Sequence, residues 1–152
     1  MDTKNIRGTI LRKVVGFTSG YFDIMHPGHV LMLKECKRYC HYLIVAVHEY
    51  KTKTKQPDGR YKEEPIWSPK ERLMMADANK YVDEAFLFDG EEGLYDYLRE
   101  NQNGIDVRIL GEDHRGKPFT GDDLDIDIIF NSRSHNYSTT NIIAQIIKER
   151  TE

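Results

Sequence analysis

Six consecutive apolar residues, Tyr42-Leu43-Ile44-Val45-Ala46-Val47, constrain this chain more than any other stretch. A strand with one wet face alternates apolar and polar side chains. An unbroken run is what a strand covered on both faces requires. Further strand-like runs are Val14 to Thr18, Glu84 to Phe88, Val107 to Leu110 and Asp125 to Phe130. Helical stretches lie between them, from Gly28 to Tyr39, from Ser68 to about Lys80 and from Gly93 to Glu100, and a last one follows Ser138. Strand and helix in alternation predict an α/β fold, a doubly wound and mostly parallel five-stranded sheet with helices on both faces. One domain over residues 1–152 is expected, since a chain of this length can bury a real core.

Local signals fix several helix starts. Ser68-Pro69-Lys70-Glu71 has the form of a capping box, with Ser as N-cap, Pro in the first helical turn and Glu three residues after the Ser. Ser138-Thr139-Thr140 caps the final helix, whose apolar residues are Ile142, Ile143, Ile146 and Ile147. Charged residues make up 31% of the chain and the net charge is −3, which leaves no basic footprint for nucleic acid. No apolar run approaches the roughly 18 residues of a membrane span. The polar N-terminus does not read as a signal peptide, so a cytoplasmic location is expected. Cys36 and Cys40, four apart on a helix, read as small packing residues. A zinc site would need a second Cys/His cluster, so no protein-held metal is expected.

The stretch that carries chemistry is Gly20-Tyr21-Phe22-Asp23-Ile24-Met25-His26-Pro27-Gly28-His29. It leaves the first strand and enters the first helix, the place where open α/β sheets bind phosphates. Pro27 suits the first helical turn, and Gly28 lets backbone N–H groups approach an anion without a β-carbon in the way. His26 and His29 can then address the phosphates that the helix end attracts. Three more segments follow strands on the same side. One is the loop from His48 to Trp67 with Lys51, Lys53, Lys55 and Arg60, followed by Arg72. Mobile lysines there could reach a triphosphate. Another is Gly111-Glu112-Asp113-His114, where Gly111 leaves room for a flat ligand and Asp113 can accept from an amine or hydroxyl. The last is Arg133 to Thr140, where a guanidinium fork and a second helix N-terminus could grip phosphate.

The pattern G-x-F-D-x-x-H-x-G-H in its strand–turn–helix setting resembles the signature of the nucleotidyltransferase superfamily that includes the cytidylyltransferases. Lys80-Tyr81-Val82-Asp83-Glu84, Gly111 to His114 and Arg133 to Thr140 extend the likeness to the glycerol-3-phosphate cytidylyltransferase branch. The tail Ser138 to Ile143 also resembles adenylyltransferases that make nucleotide-activated heptose. The resemblance implies a Rossmann-like fold and transfer of a nucleotidyl group from CTP to a small phosphorylated alcohol, with release of pyrophosphate. An ATP-using adenylyltransferase acting on a sugar phosphate or other phosphorylated acceptor is the alternative. His26, His29 and Arg133 would carry catalysis. Phe22, Asp23, Gly28, Lys55, Arg72, Gly111, Asp113, Ser138, Thr139 and Thr140 would bind the nucleotide. Mg²⁺ would arrive with the nucleotide phosphates, and Lys80 to Glu84 would lie at a homodimer interface. His114 and the Ser134-His135-Asn136-Tyr137 turn depart from the branch pattern, which bears on the acceptor more than on the reaction.

Overall fold

The computed structural model describes all residues except Met1, residues 5–9, Thr54, Pro57, Arg133, Ser134, Asn136 and Glu152. Five parallel strands form the central sheet: β3 (Val15–Gly20), β4 (Tyr42–His48), β5 (Glu84–Phe88), β6 (Val107–Gly111) and β7 (Asp127–Asn131). Their spatial order is β5-β4-β3-β6-β7. The buried apolar run is β4, paired on one side with β3 over Val15↔Tyr42 to Gly20↔Val47 and on the other with β5. A short antiparallel pair, β1 (Asp2–Lys4) and β2 (Ile10–Arg12), precedes the sheet and was not expected from the sequence.

Alternation along β4 divides the core in two. Leu43, Val45 and Val47 point to one face, where they pack with Leu33 and Cys36 of α1 (Pro27–Arg38), Ala76 of α2 (Pro69–Asp77) and Ile109 of β6. Ile44 and Ala46 point to the other face, with Phe17 and with Leu94 and Leu98 of α3 (Gly90–Asn101). Each fully buried Leu, Val or Ile contributes about 1.5–3 kcal/mol, so an unbroken apolar strand is the natural keel of a sheet covered on both sides. Cys36 and Cys40 are buried packing residues. Burial first, then Cys40 and Glu35, pushes the Cys36 thiol up to about 12, which leaves it unreactive.

The capping box read from the sequence is present at α2. Ser68 Oγ accepts from the Glu71 N–H at 3.2 Å, and Glu71 accepts from the Ser68 N–H at 3.1 Å. Helix α3 begins three residues earlier than expected, after Asp89. Gly90 follows with φ +70°, a conformation natural to glycine. Asp89 does not cap its own helix. Its carboxylate accepts from the Lys51 and Thr52 N–H groups and from the Thr52 hydroxyl, tying the lysine loop to the end of β5. The last helix, α4 (Thr139–Thr151), starts where the Ser-Thr-Thr turn indicated. Among the described residues no helix is long and apolar enough to cross a membrane.

Candidate active site

The chain leaves β3 for β4 on one side and later returns to place β6 on the other. The carboxyl end of β3 is therefore the switch point of the sheet, where crevices open in folds of this kind. The turn there runs through two non-glycine residues in the left-handed region, Phe22 at φ +54° and Ile24 at φ +46°. Each costs about 1–3 kcal/mol and persists because its surroundings hold it. Phe22 is held by burial. Its ring is 3% exposed and belongs to the core beneath α1, so the expected contact of this side chain with nucleotide is corrected to a packing role.

His26 and His29 close a reciprocal cap at the start of α1. His26 Nδ1 accepts from the Gly28 N–H at 3.0 Å, and His29 Nδ1 accepts from the His26 N–H at 3.1 Å. A neutral imidazole has one acceptor and one donor, so using Nδ1 as acceptor assigns the ring proton to Nε2 in both residues. The two rings lie 3.9 Å apart between centroids. The α1 N-terminus thus presents two imidazole donors beside its own backbone dipole, the chemistry that attracts a phosphate. Burial first, and then His135, pushes the His26 pKa below the ordinary imidazole value.

Gly28 is required by space. A β-carbon there would lie 2.7 Å from His26 Cε1, 2.8 Å from Tyr137 Cβ and 2.9 Å from His135 Cε1. The segment before α4 is therefore packed directly on the α1 N-terminus. Thr139 Oγ1 donates to the Asp23 carbonyl at 3.0 Å and joins the two helix starts. Its hydroxyl hydrogen is thereby used, which leaves the backbone N–H of Thr139, at the start of α4, as the donor it could offer a phosphate. Ser138 Oγ accepts from the Asn141 N–H at 3.0 Å and caps α4, and Thr140 is exposed on the first turn. Arg133 lies outside the described residues.

Asp23 and Arg72 both bind backbone groups of neighbouring segments. The Asp23 carboxylate accepts from the Ile66 N–H at 2.8 Å and the Trp67 N–H at 2.9 Å. Arg72 is 1% exposed, and four of its guanidinium N–H bonds go to backbone carbonyls. Nε donates to Trp67, Nη1 to Tyr21 at 2.9 Å and to His48 at 2.6 Å, and Nη2 to Glu49 at 3.1 Å. In this geometry two backbone N–H groups engage the Asp23 carboxylate, and four of the five guanidinium N–H groups of Arg72 engage backbone carbonyls. Arg72 thereby clamps the ends of β3 and β4 and the start of α2, and sequence spacing carries no signal for that role.

The remaining expected residues fall in three places. Gly111 ends β6, the strand next to β3, and pairs with Asn131 of β7; Asp113 follows in an exposed short turn. Lys55 sits elsewhere. Its ammonium lies 5.7 Å from the Tyr61 ring centroid, and it lines a groove of about 670 Å³ with Lys53, Asp89 and Glu91. That groove runs along the start of α3. Asp83 and Glu84, expected at a dimer interface, find partners within the chain. Asp83 pairs with Lys37 and accepts from the Leu43 N–H at 2.8 Å, and Tyr42 donates to Glu84 at 3.2 Å.

The family model described as cytidylyltransferase-like matches residues 17–145. The chain belongs to that family. Among similar proteins is an FAD synthase from Archaeoglobus fulgidus, 36% identical over 95 residues, covering 62% of this chain and 63% of that protein. The bifunctional protein HldE from Wolinella succinogenes is 32% identical over 135 residues, covering 89% of this chain and 27% of its own length. The chain therefore spans about three fifths of the one relative and about a quarter of the other. The crystal structure of the lipopolysaccharide core biosynthesis protein from Thermoplasma volcanium superposes with a TM-score of 0.58 at 26% identity, covering 84% of this chain and all of that one.

Proposed function

We propose that this family member is a nucleotidyltransferase, and that it transfers an adenylyl group from ATP to a small phosphorylated acceptor with release of pyrophosphate. The observation that supports the reaction class most is the reciprocal cap of His26 and His29, which commits both Nδ1 atoms to the backbone and both ring protons to Nε2. The choice of ATP rests on the FAD synthase likeness. FAD is a flavin phosphate joined to AMP, so a protein named for making it joins an adenylyl group to a phosphorylated acceptor. The likeness to glycerol-3-phosphate cytidylyltransferase motifs favours CTP as the second reading, and it rests in part on Arg133.

The acceptor phosphate already carries an anionic oxygen, so no side chain has to act as the nucleophile. That oxygen forms a bond to the α-phosphorus while the bond to the bridging oxygen breaks. The electron pair leaves with pyrophosphate. Donors fixed before the reaction stabilise the charge that grows on the phosphate oxygens, and this is where His26 Nε2, His29 Nε2 and the α1 N-terminus would act. The packing of His135 and Tyr137 against Gly28 holds the α4 N-terminus close by, so a second set of backbone donors flanks the same ligand.

Family chemistry also implies Mg²⁺. Among the described residues no three His, Cys, Asp or Glu side chains converge into a metal site. Asp23, the carboxylate nearest in sequence to the histidines, is engaged by two backbone N–H groups. None of the steps above is assigned to the ion.

Pyrophosphate release, measured with ATP and with CTP against a panel of flavin, sugar and alcohol phosphates, tests the reading. Release with ATP and one of these acceptors is expected. Release with CTP alone would establish the second reading, and release with neither would overturn both.

A further inference from the structure

The segment before α4 adds a third imidazole to the α1 N-terminus. Two ring edges, His26 Cε1 and His135 Cε1, lie 2.7 Å and 2.9 Å from the one point where a β-carbon on Gly28 would stand. His135 Nδ1 accepts from the Tyr137 N–H at 3.1 Å. By the same reasoning as for His26 and His29, its ring proton then belongs to Nε2. Three imidazoles with the same tautomer, each fixed through Nδ1 by a backbone N–H, gather around one helix start.

We propose that His135 is a third donor of the polyphosphate site, giving a hydrogen bond from Nε2 to the oxygens of the leaving pyrophosphate. This rests on the nucleotidyltransferase reading above, and it extends the site to a side chain from the far end of the chain. Electrostatics agree with the geometry. After burial, His135 is the second cause that disfavours a charge on His26, as expected of a ring held close to it. Packing against Gly28 alone would need neither the Nδ1 bond nor a polar ring there.

Inorganic pyrophosphate is the direct probe. In the wild-type chain, imidazole NMR resonances are followed as pyrophosphate is added, and its Kd is measured by calorimetry for wild type and for His135→Asn. Asn keeps a side-chain oxygen within reach of the Tyr137 N–H and lacks an equivalent of Nε2. The expected result is that His26, His29 and His135 all shift, and that the variant binds about tenfold more weakly, as a lost charge-assisted bond predicts. Shifts of His26 and His29 with an unmoved His135 and an unchanged Kd would overturn the inference and leave the reaction intact. Shifts of all three without pyrophosphate release from any nucleotide would support the clamp and overturn the reaction. No shift in any of them would overturn both. The wild-type titration decides these outcomes even if the variant fails to fold.

Discussion

Thr139 donates its hydroxyl hydrogen to the backbone carbonyl of Asp23 at 3.0 Å. This single bond ties the first turn of the last helix to the turn that leads into the first helix. Two helix N-termini, remote in sequence, are therefore joined as a unit. Replacing Thr139 by Val keeps the shape and removes the donor. It should cost about 1–2 kcal/mol of stability, because a partly buried carbonyl is left unpaired. Nucleotide affinity should weaken as well. Urea unfolding and calorimetry measure the two effects, and Thr139→Ser should recover both.

Arg72 clamps neighbouring segments together. Its planar fork reaches carbonyls at Tyr21, His48, Glu49 and Trp67, which a lysine ammonium on a single point cannot span. Arg72→Lys should therefore lower the unfolding free energy by about 3 kcal/mol, the cost of leaving buried acceptors unpaired. A denaturant midpoint equal to wild type would show that these carbonyls find other partners.

Gly28→Ala forces a methyl into a space bounded at 2.7–2.9 Å by His26, Tyr137 and His135. The rings must shift, and a displacement on the order of 1 Å at a reacting centre costs about a hundredfold in rate. The expected variant is folded, destabilised by about 1–3 kcal/mol, and nearly inactive in pyrophosphate release. Wild-type turnover would mean that the imidazole positions are not critical.

What the sequence disclosed was local. The apolar run of β4, the capping box at Ser68 and the Ser-Thr-Thr start of α4 are written within a few residues each, and the parallel sheet follows from their alternation. The histidine turn was legible for the same reason. The clamp at Arg72 was not legible because an arginine that grips carbonyls of two distant segments and of nearby Trp67 looks, in sequence, like one that grips phosphate. The backbone partners of Asp23 were hidden likewise, since Ile66 and Trp67 lie more than forty residues on. The nearness of His135 to Gly28 depends on the docking of α4, which no local pattern encodes.

The acid side of the pH profile follows from His26. Its folded pKa lies below the ordinary value, by burial first and His135 second. The unfolded chain therefore binds more protons in the interval between the folded pKa and about 6.5. The contribution of His26 to stability is complete above about pH 6.5 and is lost as the pH falls through the folded value. His48, whose pKa burial also lowers, acts in the same window. The share of His26 is isolated by comparing wild type with His26→Asn. Unfolding free energy measured with urea from about pH 5 to about pH 8 reads the loss, and a difference between the two proteins that stays constant with pH would contradict it.

The central claim is that His26 and His29 hold the helix start with one nitrogen and the reacting phosphates with the other. His29→Asn separates the two roles, since the Asn oxygen can still accept the His26 N–H while Nε2 is gone. The decisive measurement is kcat for pyrophosphate release by this variant, with ATP and the acceptor found in the panel, beside its unfolding free energy. The account predicts a fall in kcat of about 10²–10³, the loss expected for one preorganised donor, with stability within about 1 kcal/mol of wild type. A variant that unfolds no more easily and turns over at the wild-type rate would contradict it.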